Sequence, residues 1–339
     1  MKASPSLDEF LRPIAELLAL PEVTELCINR PGEAFVETRM GWTRHELPAL
    51  TFSWAQVFAI TTAASNDRWV DGQKTLLSAE LPGGERIFIV YPPSCESGTI
   101  SITIRKPSSA SKLTNASLVN AGLYRRVKKS ITELDPFEEE LLQLYQAADY
   151  DPFMQLAVKM RRNIVVSGAT SSGKTTYTNA LFEFIDPNDR IITIEDTREL
   201  RLPNQLNHVH LLYESDGAGK DAVSPAQLVR ASKRMRPDRI LNAEIRGEEA
   251  YDLLVGVNSA HPGTITSTHA ETALGVADVF AAMIEGGGRK LSRENFDRLF
   301  YGSVDIICQF NTAKGPSGAE RGITEIYYDP KKKRKARAG

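Results

Sequence analysis

The sequence predicts an α/β protein in which a smaller α+β domain precedes a domain built on a parallel sheet. From Asn163 onward, runs of Ile, Val and Leu alternate with helical segments, as in a mostly parallel sheet. Before Lys106, the predicted strands are short and separated by Pro and Gly, as in an antiparallel sheet. At 339 residues, the chain is too long for one compact core. We therefore expect an α+β N-terminal domain over 1–110, a helical linker region over 111–160 and the parallel-sheet domain over 161–339.

The N-terminal region is predicted to contain two helices and a set of short strands. Apolar residues at helical spacing predict a first helix that Pro21 ends. The Arg-Pro-Gly at 30–32 predicts a turn between the first two strands. The expected helices cover 6–19 and 54–64, and the expected strands cover 23–29, 34–38, 43–47, 76–80, 86–91 and 99–105.

The rest of the chain is predicted to pass from helices to alternating strands and helices. The polar run at 108–112 has the composition of a linker, and helices are expected at 117–127, 136–148 and 152–159. Ser224 and Pro225 have the residue types of an N-cap and a first helical turn, so a helix is expected at 224–235. The expected strands are 164–167, 190–195, 208–213, 239–244, 264–268, 304–310 and a terminal hairpin strand at 323–328.

Composition narrows the class of protein. Lys and Arg number 41 and Asp and Glu 43, so the body has no overall charge that would indicate nucleic-acid binding. Cys27, Cys95 and Cys308 are far apart, which predicts neither a disulfide framework nor a zinc module and is typical of a reducing cytoplasm. The N-terminus is acidic where a signal peptide would be apolar, and no apolar run is long enough to span a bilayer. We expect a protein that works outside the lipid.

The last nine residues form a distinct basic tail, because six of them are Lys or Arg. Two readings of this tail are open. It is either a solvated, disordered end or a segment attracted to anionic lipid headgroups.

The most informative stretch is 161–176, in which Gly168-x-x-x-x-Gly173-Lys174-Thr175 lies between a β-branched run and a helical segment. This spacing lets successive N–H groups and the helix N-terminus point at one anion. Lys174 would reach the β- and γ-phosphates, and the Thr175 hydroxyl would hold Mg2+. The pattern predicts a RecA-like P-loop NTPase fold that binds ATP. The residues expected to contact the nucleotide are Gly168, Ala169, Thr170, Ser171, Ser172, Gly173, Lys174, Thr175 and Thr176.

Carboxylates at two strand ends are candidates to complete the site, because ligands bind at the carboxyl ends of strands in open α/β sheets. Glu195 ends an apolar strand and is expected in the magnesium or water shell, with Asp196 behind it. Glu244 ends another strand and is expected to align the attacking water. A solvated strand end is the alternative for Glu195.

Two further groups are candidates to act on the bound nucleotide. His261 and His269 flank a short strand. We expect His269 to contact the γ-phosphate and respond to its presence. The alternative is that these histidines are structural or solvated. Arg105 ends a strand of the first domain, from which it would reach a nucleotide held in the second. A surface ion pair is the alternative for Arg105, and Arg86 is a weaker candidate for the same task.

These motifs resemble the Walker A, Asp-box, Walker B and His-box motifs of secretion and pilus traffic ATPases. They are the segments 168–176, 193–196, 236–247 and 267–270, in that order. Residues 26–33 and the segments 81–87 and 99–107 are also similar to the type IV secretion branch, the family of the eleventh product of the VirB operon. The lack of a tetracysteine module argues against the type II branch. Two positions depart from the family pattern, since Ala169 replaces a common Glu and Ala260 a common Gly.

The resemblance implies an enzyme, an ATP hydrolase coupled to macromolecule transport, with ATP and Mg2+ as ligands. It implies a homohexameric ring at the cytoplasmic face of the bacterial inner membrane, other inner-membrane type IV secretion components as partners and a secreted protein or DNA as the indirect substrate. Catalytic roles would fall to Lys174, Glu244, Glu195 and His269, and metal binding to Thr175 and Glu195. Two alternatives remain open: a RecA-like nucleic-acid motor that uses the basic tail, and a nucleotide-gated scaffold with little turnover.

Overall fold

A computed structural model of the chain describes residues 7–107, 114–125, 127, 133–214, 222–259, 261–315 and 318–338. The predicted linker run at 108–112 and Ala260 lie outside these ranges. The domain boundary expected at 110 lies there too, and it stays a prediction. Within the described ranges, no helix is both long and apolar enough to cross a membrane.

The N-terminal region forms one antiparallel sheet in the order β3-β2-β1-β6-β5-β4 with two helices packed on it. Leu26, Ile28, Ile102 and Ile104 lie in its core because alternate residues of β1 and β6 face the helices. The elements are α1 Leu7–Ala19, β1 Glu25–Ile28, β2 Glu33–Thr38, β3 Gly41–Glu46, α2 Phe52–Ala64, β4 Leu76–Glu80, β5 Arg86–Val90 and β6 Ser101–Arg105.

Three helices lead to the second sheet. The first is shorter than predicted: it ends at Asn120, and Gly122 then takes a φ of 90°. The second begins with a capping box in which Asp135 and Glu138 bond each other's backbone N–H groups. These helices are α3 Asn115–Asn120, α4 Pro136–Gln146 and α5 Tyr150–Lys159.

The C-terminal region confirms the predicted alternation of strands and helices and the α/β fold class. Strands β10, β8 and β9 form one parallel sheet, and the other has the order β11-β7-β12-β13. Hydroxyl groups join the two, since Thr264 donates to the Ile240 carbonyl at 2.9 Å and Ser267 to the Ala243 carbonyl at 2.7 Å. The elements are β7 Ile164–Gly168, α6 Lys174–Leu181, a 3-10 turn Phe182–Phe184, β8 Ile191–Glu195, β9 His208–Leu212, α7 Pro225–Ser232, β10 Arg239–Asn242, α8 Glu249–Ser259, β11 Ile265–Thr268, α9 Gly275–Gly286, α10 Arg293–Ser303, β12 Ile306–Gly315, β13 Gly318–Tyr328 and α11 Pro330–Ala338.

The two regions pack directly on one another. Phe88, Val90 and Cys95 lie in the same apolar cluster as Ile192 and Ile194 of β8. Polar contacts continue this interface: Asn29 donates to the side chain of Asn207 at 2.9 Å, Leu212 N donates to the Ser94 carbonyl at 3.0 Å, and Arg198 pairs with Glu96 at 2.8 Å.

The basic tail is not a disordered end over residues 330–338, because they form helix α11. Lys333 is buried and its Nζ lies 2.6 Å from Asp305. Arg334 pairs with Glu138 at the start of α4, and Arg337 donates to the Gly302 carbonyl at 2.8 Å. Lys333, Arg334 and Arg337 therefore form contacts within the protein, although the tail's composition is that of a solvated segment.

Candidate nucleotide-binding site

The loop between β7 and α6 has a backbone that its glycines make possible. Gly168 has a φ of 150°, and a Cβ there would lie 3.0 Å from Ser172 Oγ and would clash with the Phe310 carbonyl. Gly173 has a φ of 105° and is the N-cap of α6. Both are conformations that L side chains rarely adopt, so the predicted glycines fall where the loop requires them.

The start of α6 is suited to an anion. The first N–H groups of a helix have no intrahelical partner, and the helix dipole adds positive potential at the same point. Ser172 Oγ is buried without a hydrogen-bond partner beside them. The side chains of Ala169, Thr170, Ser171, Thr175 and Thr176 are exposed around this cradle.

The Lys174 side chain lies inside the loop and stabilises it by hydrogen bonds to the loop's own carbonyl groups. Its Nζ donates to the carbonyls of Gly168 at 2.7 Å and Ala169 at 2.9 Å. Burial lowers the pKa of Lys174, while the nearby Glu244 carboxylate opposes the change. An arriving phosphate would offer this ammonium group a charged acceptor in place of two carbonyls.

Glu244 and His269 lie next to Lys174, as the sequence predicted for a shared site. His269 Nε2 lies 2.9 Å from Glu244 Oε1, and His269 Nδ1 lies 3.5 Å from Lys174 Nζ. Arg246 bridges Glu244 and Asp196, with 2.8 Å to each. Burial alone would raise the pKa of Glu244, but Arg246, followed by His269 and Lys174, holds it below its ordinary value. The carboxylate is therefore kept ionised as an acceptor.

Glu195 was predicted to lie in the magnesium or water shell, and the structure shows that this prediction is wrong. Its side chain is fully buried. One carboxylate oxygen lies 2.6 Å from the Thr193 hydroxyl and 2.9 Å from His210, and the other accepts the N–H groups of Glu199 and Leu200. Burial would raise the pKa of Glu195, but these hydrogen bonds lower it. A carboxylate engaged in this way has no free face for a cation.

Glu199 lies where Glu195 was expected. Its side chain is exposed, and the Thr175 hydroxyl donates to it at 3.4 Å. Within the described residues, no group of three or more His, Cys, Asp or Glu side chains is arranged to hold a metal ion. Mg2+ bound to phosphates needs only one or two protein oxygens, however, and Thr175 with Glu199 supplies them. The residues present therefore fit this ion.

Two predicted residues are not joined to this cluster. Arg105 is 71% exposed and pairs with Glu25 at 3.4 Å, which is the surface ion pair named as its alternative. His261 is partly exposed, and burial followed by nearby Lys233 and Arg236 lowers its pKa.

Arg246, Glu199 and His210 were not identified as site residues from sequence. Arg246 carried a usable signal, since residues two apart in an extended segment share a face and it follows Glu244 by two. His210 carried none, because its role depends on which strand pairs with β8.

A loop restricted by glycines lies at a helix N-terminus, with a lysine inside it and a carboxylate beside it. These features define a P-loop protein that hydrolyses nucleotides.

A family model described as Type II/IV secretion system protein matches residues 124–285. The type IV secretion system protein VirB11 of Brucella suis biovar 1 is 42% identical over 338 residues, covering 98% of this chain and 93% of that protein. The type IV secretion system protein PtlH of Bordetella pertussis is 40% identical over 330 residues, covering 95% of each.

One solved structure shares the whole architecture. The crystal structure of the VirB11 ATPase from the Brucella suis type IV secretion system, in complex with sulphate, matches with a TM-score of 0.91 at 41% identity and covers 98% of this chain and 97% of that one. The chain belongs to the VirB11 family of type IV secretion system ATPases. It is an ATP hydrolase of the secretion class, as its resemblance implied.

Proposed function

We propose that this protein is a magnesium-dependent ATPase that works as a hexameric ring and powers type IV secretion, through substrate translocation, pilus assembly or both. The observation that carries the proposal is the meeting of Lys174, His269 and Glu244 at the mouth of the phosphate loop. ATP hydrolysis needs a phosphate-binding loop, a cation and an oriented water. Lys174 belongs to the loop, Glu244 would orient the water, and Thr175 and Glu199, which contact each other at 3.4 Å, would hold the cation.

In this mechanism, the triphosphate binds to the N–H groups of 168–176 and draws Lys174 away from the Gly168 and Ala169 carbonyls that it now contacts. Each exchanged contact replaces a neutral acceptor by a charged one, which strengthens the hydrogen bond. Nucleotide binding thereby also breaks the two hydrogen bonds with which Lys174 stabilises the loop.

The Thr175 hydroxyl and the Glu199 carboxylate would hold Mg2+, and both belong to exposed side chains 3.4 Å apart. The ion would neutralise charge on the β- and γ-phosphates when bound.

Glu244 would orient the attacking water and accept its proton. Its lowered pKa keeps it ionised at neutral pH, and Arg246 fixes its second oxygen at 2.8 Å. His269 contacts both Glu244 and Lys174, so it would respond when a γ-phosphate occupies the loop.

Arg105 would act across a subunit boundary, completing a site in the neighbouring copy. Its high exposure leaves the guanidinium available to such a neighbour. The ring would work at the cytoplasmic face of the inner membrane with other components of the secretion system, and it would act on a secreted protein or DNA indirectly.

Mass photometry and phosphate release test this proposal together. We expect six copies per particle in ATP and turnover that stops when EDTA removes Mg2+. Monomers at every nucleotide concentration would contradict the ring, and turnover that continues in EDTA would contradict the role of magnesium.

A further inference from the structure

Three buried polar side chains form a cluster behind the nucleotide site. Thr193 and Glu195 lie on β8, and His210 lies on the neighbouring parallel strand β9, where it is the register partner of Thr193. Thr193 and Glu195 are fully buried, and His210 is 1% exposed. Buried polar groups are costly unless their hydrogen bonds are made, so this cluster has a defined geometry.

All three side chains meet at one carboxylate oxygen. Thr193 Oγ1 donates to Glu195 Oε1 at 2.6 Å, and His210 Nδ1 lies 2.9 Å from the same oxygen. His210 Nδ1 also lies 2.6 Å from Thr193 Oγ1. The orientation of the Glu195 carboxylate is therefore set from β9 as well as from its own strand.

The other oxygen of Glu195 holds the loop that follows β8. It accepts the N–H of Glu199 at 2.8 Å and that of Leu200 at 2.7 Å. This loop carries Asp196, which contacts Arg246, and Glu199, which contacts Thr175. A turn of the Glu195 carboxylate would move both groups relative to the phosphate loop.

We propose that His210 and Thr193 are positioning residues of the ATPase reaction. They act through Glu195 on the loop 196–200 and so set the place of the Glu199 carboxylate beside Thr175. This inference rests on the proposed role of Glu199 toward Mg2+.

The loop also has two outer anchors. Asn179 of α6 donates to the Glu199 carbonyl at 3.1 Å and accepts the N–H of Arg201 at 2.7 Å. Arg198 pairs with Glu96 at 2.8 Å. Loss of the buried anchor should therefore shift the loop without unfolding it.

Two matched pairs of variants separate the hydrogen bonds from the packing. Thr193→Val keeps the shape and removes the donor, whereas Thr193→Ser keeps the hydroxyl. His210→Leu removes the ring nitrogen, whereas the amide nitrogen in His210→Asn takes a position close to that of Nδ1. If one variant at position 210 does not fold, the pair at position 193 tests the proposal alone.

Hydrogen exchange in the nucleotide-free protein with EDTA is the first readout. We expect the amides of Glu199 and Leu200 to exchange faster in Thr193→Val and His210→Leu, and at the wild-type rate in Thr193→Ser and His210→Asn. The segment 164–167 of β7 should be unchanged in all four. Wild-type protection of Glu199 and Leu200 in both disruptive variants would overturn the proposal.

The Mg2+ dependence of ATP turnover is the second readout. Residues that hold a metal ligand in position typically change affinity or activity 10–100-fold, so we expect the disruptive variants to need about tenfold more Mg2+ for half-maximal turnover. The two conservative variants should need the wild-type concentration. Faster loop exchange with an unchanged Mg2+ requirement would also overturn the positioning role.

Glu199→Gln distinguishes a failure of this inference from a failure of the proposed function. If Glu199→Gln leaves the Mg2+ requirement unchanged, the proposed metal role of Glu199 is wrong. If Glu199→Gln raises the requirement and the disruptive variants at 193 and 210 do not, the metal role stands and the positioning role is wrong.

Discussion

His269 Nε2 lies 2.9 Å from Glu244 Oε1, and the same ring reaches Lys174 with its other nitrogen. This contact links the end of β11 to the segment after β10 and to the phosphate loop. A phosphate that draws Lys174 out of the loop therefore also changes the surroundings of His269 and Glu244.

Glu244→Gln should stop turnover while ATP still binds. The amide keeps the shape of the side chain but is a far weaker proton acceptor, and loss of a general base typically lowers kcat by about 100-fold or more. Steady-state phosphate release and fluorescent-nucleotide binding measure the two effects.

Glu248→Gln is the matched control, because Glu248 is exposed on the same segment and should be neutral. Lys174→Ala should also lose turnover, but for a different reason, because ATP binding itself is lost. Wild-type turnover by Glu244→Gln would show that this carboxylate has no catalytic role.

Gly168→Ala should abolish nucleotide binding and lower the thermal midpoint. The new methyl would meet the Phe310 carbonyl and lie 3.0 Å from Ser172 Oγ, in a backbone conformation that alanine disfavours. Backbone strain and overpacking each cost about 1–3 kcal/mol. Differential scanning fluorimetry with and without ATP measures both effects. Gly72→Ala is the control, since a Cβ there has nothing within 4 Å. An equal loss of stability in both variants would show that steric clash and backbone strain at Gly168 are not the cause.

Lys333→Met should destabilise the protein, because it leaves buried Asp305 without the cation that now lies 2.6 Å away. Removal of one partner of a buried ion pair typically costs about 3–5 kcal/mol in the free energy of unfolding, and we expect the lower end of that range because Arg162 still lies 3.8 Å from Asp305. Urea unfolding measures the change. Asp305→Asn in the same chain should recover part of the loss, and Lys331→Met, at an exposed position, should change stability little. Equal stability of Lys333→Met and Lys331→Met would mean that α11 is not docked in solution.

Glu25 should make the protein less stable as the pH rises. Burial raises its pKa to about 7 in the folded protein from 4.5, despite the opposing charge of Arg105. The folded state thus binds this proton more tightly, so its stabilising contribution is complete below pH 4.5 and is lost as the pH rises to about 7. Glu25→Gln should therefore be more stable than wild type at alkaline pH and equal to it at acidic pH, as measured by urea unfolding. Glu22→Gln, at an exposed position, should show no such difference, and a pH-independent effect of Glu25→Gln would contradict the account.

The sequence predicted the phosphate loop well because its chemistry is local. Two glycines, a lysine and a threonine at fixed spacing are required whatever surrounds them, and a β-branched run before them is a reliable strand signal. Glu244 and His269 lie beside the loop in the structure, since the carboxyl ends of parallel strands meet at one edge, and their roles toward the nucleotide stay predictions.

The features that sequence analysis missed depend on contacts between distant segments. Glu195 and Asp196 are adjacent carboxylates, and only the pairing of β8 with β9 brings His210 to Glu195 and buries it. From its charged composition, the basic tail was predicted to be either a solvated end or a segment attracted to anionic lipid. Its partners Asp305 and Glu138 lie far away in the sequence, so no local pattern shows that Lys333 and Arg334 are paired.

A structure determined with Mg2+ and a non-hydrolysable ATP analogue is the sharpest test of the nucleotide site. We expect the β- and γ-phosphates inside the loop 168–176. Lys174 Nζ should have moved from the Gly168 and Ala169 carbonyls to phosphate oxygens, and Thr175 and Glu199 should face the metal ion. A loop without phosphate at saturating analogue, with Lys174 still bound to its own carbonyls, would contradict it.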